Sequence, residues 1–228
     1  YKLFDAIICV SEYTCHVFCS VYPSVAPVTH AIHNIIDLNE IYKLARIDMN
    51  DREFSNEVFT ILSVGRIDSV KRFSRIPEVA RMLWDRGCRF RWYILGNKED
   101  TMEFDLLLRN IERYSVSEFV VPLGGRTNPY PYFLRSNLVV CLSTSEACPN
   151  AVLEAKILQI PVVCSDFGSA SEFVLDGYDG YIVPIERLCE KIEIMIKNQE
   201  LYNQIKGNLL HYQYGNDIVL SQLVDVLA

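Results

Sequence analysis

The 228-residue sequence is short of positive charge: 22 Lys and Arg face 29 Asp and Glu, giving a net charge of −7. Nucleic-acid binding selects for basic surfaces, so this balance argues against it. No apolar run reaches the roughly 18 residues that a membrane span needs. No basic segment followed by an apolar core and a cleavage site opens the chain, which is the pattern of a signal peptide. There is no CxxC pair, and the four histidines form no ligand cluster, so a zinc site is not expected. Walker A and GxGxxG loops are both missing. Internal repeats and low-complexity stretches are absent too.

What is present is half apolar and 22% charged, the composition of a globular protein with a sizeable core. Of the eight cysteines, several sit inside apolar runs such as Val139-Val140-Cys141-Leu142. They read as reduced, buried thiols of a cytoplasmic protein rather than as a disulfide framework.

From Val58 onward, short apolar runs alternate with helical patterns. The runs cover 58–64, 90–95, 118–123, 138–142, 161–165 and 180–183. Between them lie patterns such as Ile76, Val79, Ala80, Leu83 and Trp84, or Phe104, Leu107, Leu108 and Ile111. Strands that are apolar throughout and alternate with helices predict an α/β domain, a Rossmann-like doubly wound parallel sheet. Its ligands are expected at the carboxyl ends of the strands. Before it, a strand near 6–10, a helix over 11–22 and a strand near 28–32 form a separate βαβ-like piece. The polar stretch 48–57 carries the boundary, giving units of 1–55 and 56–228, and helices close the chain. The abrupt strand at the start leads us to expect a preceding portion.

Three strand exits carry glycine or basic residues. The first is Val64-Gly65-Arg66 followed by Lys71, where glycine admits a ligand close to the backbone and the cations offer charge for a phosphate where the next helix is expected to begin. The second is Pro122-Leu123-Gly124-Gly125-Arg126, and the third is Gly168-Ser169 before a helix. Each alone is an ordinary turn. Glu146 and Glu154 stand eight positions apart, the first in a loop and the second on a helix starting near Pro149 or Asn150. A carboxylate on an apolar helix face is costly without a polar partner, so Glu154 needs one. Cys148 lacks a nearby histidine and reads as packing rather than as a nucleophile. Tyr130, Tyr132 and Phe133 read as helix packing. His16, His30 and His33 read as packing or linker residues.

Together these marks resemble the C-terminal, donor-binding half of a GT-B fold retaining glycosyltransferase of family 4, the glycosyl transferases group 1. The resemblance rests on Val64-Gly65-Arg66 with Lys71, on the Glu146–Glu154 pair of an E-x7-E motif, and on Pro149 with Glu154-Ala155. The stretch Asn128-Pro129-Tyr130-Pro131-Tyr132 resembles surface-polysaccharide transferases. Residues 56–228 are covered, and 1–55 are similar to the end of an acceptor domain plus linker.

The resemblance implies that Arg66 and Lys71 hold the donor diphosphate beside Gly65. It implies that Glu154 accepts from the ribose, and that Glu146 meets the transferred sugar or its phosphate. Backbone around Pro149, Asn150, Ala151 and Val152 would serve the sugar and diphosphate, and the exit near Pro122 and Gly125 would serve the base. No cofactor or metal is implied beyond a nucleoside-diphosphate sugar. The implied acceptor is a glycan or lipid-linked molecule, met through a preceding N-terminal domain. The implied location is cytoplasmic, with peripheral association of the full-length protein at the inner membrane face. Ala147 departs from the family, which commonly has glycine there. A glycosidase would place paired carboxylates without the phosphate cradle. A GT-B sugar-nucleotide epimerase and a non-catalytic nucleotide-sugar-binding fragment are the alternatives.

Overall fold

The computed structural model describes residues 1, 3–49 and 51–227; Lys2, Asn50 and Ala228, which the expected units include, lie outside the described residues. Six strands build the main sheet: β3 (Phe59–Val64), β4 (Phe90–Leu95), β5 (Val120–Gly124), β6 (Leu138–Cys141), β7 (Val162–Ser165) and β8 (Gly180–Val183). All pair in parallel in the order β5-β4-β3-β6-β7-β8. All six expected strands are found, within about two residues. The strand expected over 118–123 begins at Val120 instead, so Pro122 lies inside β5, not at its exit. β5 is an edge strand, the place in a sheet where proline's missing N–H is tolerated.

The largely apolar runs have a simple cause: side chains alternate between two cores. Ile61, Trp92, Ile94, Val140 and Val163 face one layer, which holds α3 (Ile76–Asp85), α4 (Thr101–Arg113), α8 (Leu188–Lys197) and α9 (Gln199–Leu209). Leu62, Tyr93, Leu95, Val139 and Val162 face the other, which holds α5 (Tyr130–Leu134), α6 (Asn150–Ile157) and α7 (Ala170–Phe173). Leu108, expected on the apolar stripe of α4, is instead 40% exposed. Leu107 and Ile111 carry that contact.

A second, two-stranded parallel sheet pairs β1 (Ile7–Cys9) with β2 (Thr29–Ala31) across α1 (Glu12–Val21). The linker then forms α2 (Leu38–Ala45), capped by Asp37, whose Oδ1 accepts from Glu40 N at 2.9 Å. Ile41, Ala45 and Phe54 are buried in the second core of the main sheet. The final helix, α10 (Asn216–Leu227), returns to the linker.

Candidate functional site

In this strand order, β3 and β6 are neighbours from which the chain winds outward in opposite directions. Such a switch point opens a crevice beyond the carboxyl ends of the strands. The loops following β3 and β6 meet there.

Beyond β3, Gly65 turns with φ +155°, and a Cβ on it would stand 3.0 Å from Lys71 Cε. The neighbouring exits pack just as closely. Gly96 donates to the Gly124 carbonyl at 3.1 Å, and a Cβ at Gly96 would lie 1.8 Å from the Gly65 carbonyl oxygen. Gly125 is filled by Asn97 in the same way. Asp68 Oδ1 accepts from the amides of Val70 and Lys71 at 3.0 and 2.9 Å, which fixes the turn presenting Lys71. Arg66 is exposed, with Nη2 3.3 Å from Asp68 Oδ2. Lys71 was expected where the next helix begins. It precedes a 3-10 turn at Phe73–Arg75, and α3 starts only at Ile76, so the helix N-terminus does not add to its charge.

The loop after β6 delivers Glu146. Its Oε1 accepts from the Lys71 ammonium and from Ser143 Oγ, the latter at 2.6 Å. Its carbonyl accepts from Ser169 Oγ at 2.7 Å. Ser143 and Ser169 are buried.

Helix α6 begins at Asn150, as expected, without a side-chain cap from Pro149. Asn150 and Val152 already donate their amides, to the Cys148 and Pro149 carbonyls at 3.0 and 2.9 Å. Glu154 looks into the crevice one turn on. Burial pushes its carboxyl up to about 7, offset in part by the Tyr130 hydroxyl, which donates to Oε1 at 3.4 Å. Tyr130 in turn is raised to about 12, by burial first and then by Glu154. This tyrosine was expected to serve packing. Tyr132 and Phe133 do so, at 4% and 0% exposed, but residues of one short helix point in different directions, and Tyr130 turns to Glu154. The Cys148 thiol is raised to about 11, chiefly by burial.

A cavity of about 460 Å³ gathers Gly65, Arg66, Lys71, Glu146, Asn150, Ala151 and Glu154. A second of about 350 Å³ shares Asn150 and Glu154 with it and adds Asn34, Asp37, Glu40 and Tyr130. Of the residues expected here, Pro149 and Val152 are instead buried at the start of α6, and Pro122 and Gly125 line neither cavity. Asn34, whose Nδ2 donates to Asn150 Oδ1 at 3.1 Å, was not anticipated, because nothing local in the linker announces a contact 116 residues away. A larger cavity, about 630 Å³, lies elsewhere, beside Lys156 and Asp179. Its buried cation is already matched. Lys156 Nζ sits 2.7 Å from Asp179 Oδ2, donates to the Phe173 carbonyl at 2.6 Å, and lies 4.3 Å from the Tyr212 ring centroid. That one cation is 4% exposed, whereas the switch-point cavity gathers two, with the Arg66 side chain 66% exposed, so the switch-point cavity is the stronger candidate. No described helix is long and apolar enough to cross a membrane.

Residues 46–209 match the family described as glycosyl transferases group 1. Curated relatives include the amylovoran biosynthesis glycosyltransferase AmsD of Erwinia amylovora. It is 24% identical over 183 residues, covering 78% of this chain and 50% of the relative. The capsular polysaccharide biosynthesis glycosyltransferase CapM of Staphylococcus aureus is 25% identical over 161 residues, covering 67% and 40%. The chain thus spans half or less of the length of these two relatives. Among solved structures, Anabaena HepE in complex with UDP and glucose matches with a TM-score of 0.82 at 20% identity, over 99% of this chain and 64% of that one. S. aureus TarM, crystallised as a mutant with UDP among its ligands, matches with a TM-score of 0.81 at 19% identity, over 99% and 44%. These likenesses establish the fold: the six-stranded sheet is the Rossmann-like unit of a GT-B architecture.

Proposed function

The chain belongs to the glycosyl transferases group 1 family, and on that premise we propose that it is the donor-binding part of a retaining glycosyltransferase. The donor is a nucleoside-diphosphate sugar of hexose type, and the acceptor a glycan or lipid-linked molecule in cytoplasmic synthesis of a surface polysaccharide. One observation carries the reading. Two cations on the β3 exit and two carboxylates from the β6 side, far apart in sequence, converge on a single 460 Å³ cavity at the switch point. That relatives are named for amylovoran and capsular polysaccharide synthesis, and that neighbours were crystallised with UDP, supports it.

Arg66 and Lys71 hold the diphosphate and neutralise charge as the nucleoside diphosphate departs. Charge-assisted hydrogen bonds of this kind contribute roughly 1.5–3 kcal/mol each. They act most where charge develops. Glu154 as a carboxylate accepts from the ribose hydroxyls, which gives a buried acid its missing partner. Glu146 faces the sugar and, with the leaving phosphate on the same side, stabilises a cationic sugar-like transition state. No metal is needed where two cations flank the phosphates. The base lies along the backbone at the β5 exit, and the acceptor is met through a further domain.

Calorimetric titration with UDP, GDP and their sugars tests the reading, with Arg66→Ala and Glu154→Ala alongside. Saturable binding to one nucleotide, lost in both variants, supports the donor site and identifies the base. No binding by a chain shown folded by circular dichroism overturns it. A nucleotide-sugar-binding protein without transfer would bind in the same way; sugar transfer by a longer protein carrying this chain separates the two.

A further inference from the structure

We propose that Glu146 is an internal counter-ion that an incoming phosphate displaces from Lys71, and that Ser143 holds the carboxylate once displaced. The inference rests on the donor-site reading above. Both cations facing the cavity are engaged within the chain: Arg66 leans on Asp68 at 3.3 Å, and Lys71 donates to Glu146. The second pair is well shielded, its side chains 18% and 12% exposed, so it is stronger than an ordinary surface pair. A diphosphate reaching Lys71 competes with a carboxylate already in place.

What becomes of Glu146 on exchange is set by the floor beneath it. Ser143 Oγ donates at 2.6 Å to the same Oε1 that Lys71 occupies. Ser143 is itself pinned: it is 1% exposed, and its carbonyl accepts from Ser165 Oγ at 2.6 Å. Ser169 fixes the Glu146 carbonyl. When Lys71 turns to the phosphate, the carboxylate keeps the Ser143 bond and stays where the sugar will lie. Ser143 therefore acts through Glu146 and is a positioning residue.

The exchange makes binding depend on these groups in a distinctive way. Removing the competing charge frees Lys71, so Glu146→Gln is expected to bind inorganic pyrophosphate and UDP about tenfold more tightly. Neither probe carries the transferred sugar, so any contact of Glu146 with it stays out of the measurement. Ser143→Ala is expected to weaken both probes several-fold, because the bound state loses the only one of these two bonds that the carboxylate retains. In a Glu146→Gln background the same serine change should have no effect, since no carboxylate is then released from Lys71 when the phosphate binds.

Calorimetry on wild type, both single variants and the double variant reads this cycle, with thermal denaturation confirming that each is folded. Tighter binding by Glu146→Gln together with a serine effect that vanishes in the double variant supports the exchange. Unchanged or weaker binding by Glu146→Gln overturns it, as does a serine effect of equal size in both backgrounds, which marks a purely structural hydroxyl. If wild type binds UDP and Arg66→Ala does not, the donor site stands even when the exchange fails. If neither wild type nor Glu146→Gln binds either probe, both fail.

Discussion

Asn216 holds both polar groups of the Ile36 backbone: its Oδ1 accepts from the amide at 3.1 Å, and its Nδ2 donates to the carbonyl at 2.6 Å. Nearby, the Tyr214 hydroxyl donates to the Asn34 carbonyl. The start of α10 is thereby fastened to the linker, and the linker in turn to Asn150 at the mouth of the cavity. Truncation to Asn216→Ala strands two partly buried backbone groups and is expected to cost about 1–3 kcal/mol. For a chain of this size that lowers Tm by about 2–4 °C for each kcal/mol. Differential scanning calorimetry reads the change directly.

On the proposed donor reading, Glu154 sets binding against stability, with a definite sign. Its carboxyl is raised in the folded chain to about 7, so the fold is favoured with the proton on and loses stability as pH rises from its unfolded value, near 4.5, through 7. Above pH 7 the penalty approaches about 3 kcal/mol. Glu154→Gln is therefore expected to raise Tm at pH 8 and to change little at pH 5. Nucleotide affinity should run the other way, increasing with pH through 7 in wild type as the acceptor carboxylate forms, and collapsing in Glu154→Gln. Paired melting and titration series between pH 5 and 8 test both slopes.

Gly96 is the contact on which the exits of β3 and β4 close. A methyl group there meets the Gly65 carbonyl at 1.8 Å, a backbone atom that cannot rotate away. Gly96→Ala is expected to destabilise by about 1–3 kcal/mol through overpacking. By displacing Gly65 it should also weaken nucleotide binding. Gly87→Ala, where a methyl group meets open space, is the contrast: its positive φ of 83° strains the backbone without touching the cavity, so it should lower Tm and spare binding.

Lys156 and Asp179 form a buried ion pair, 4% and 5% exposed, that also ties the α6 side of the sheet to the loop before β8. Burial lowers the lysine pKa, and Asp179 works against that shift. Asp179→Ala leaves a desolvated ammonium and is expected to cost about 3–5 kcal/mol. Replacing both residues with apolar ones should recover much of that loss. Urea denaturation of the three variants checks it.

The sheet was legible because a strand covered on both faces has no polar side to hide its pattern: Leu138–Cys141 reads without a break, and Phe90–Leu95 with Arg91 as its one charge. The charged half of the site was legible for a similar reason: Arg66, Lys71, Glu146 and Glu154 carry groups that a core rejects, so they mark the edge. Tyr130 was not, since its ring suits packing and only the placement of α5 beside α6 turns its hydroxyl to Glu154. Ser143 and Asn34 escaped because short polar residues are common in loops, and the partners that pin them, Ser165 and Asn150, lie 22 and 116 residues away. The start of α3 was placed too early because Asp68 and Lys71 form a turn of their own, ahead of a 3-10 segment, that mimics a helix entry.

The strand order also imposes a timetable. β3, first of the main sheet in sequence, pairs at once with β4, about 30 residues on, but its other neighbour is β6, more than 70 residues away. Loop-closure entropy grows with that separation, so the two flanks of β3 are completed at different times during synthesis. Until β6 arrives, Ile61 and Leu62 present an unpaired, wholly apolar edge, which favours aggregation of a nascent or refolding chain. The crevice between the strands accordingly does not exist until β6 arrives. A protein refolded from denaturant should gain its β3–β4–β5 amide protection before it can bind any nucleotide.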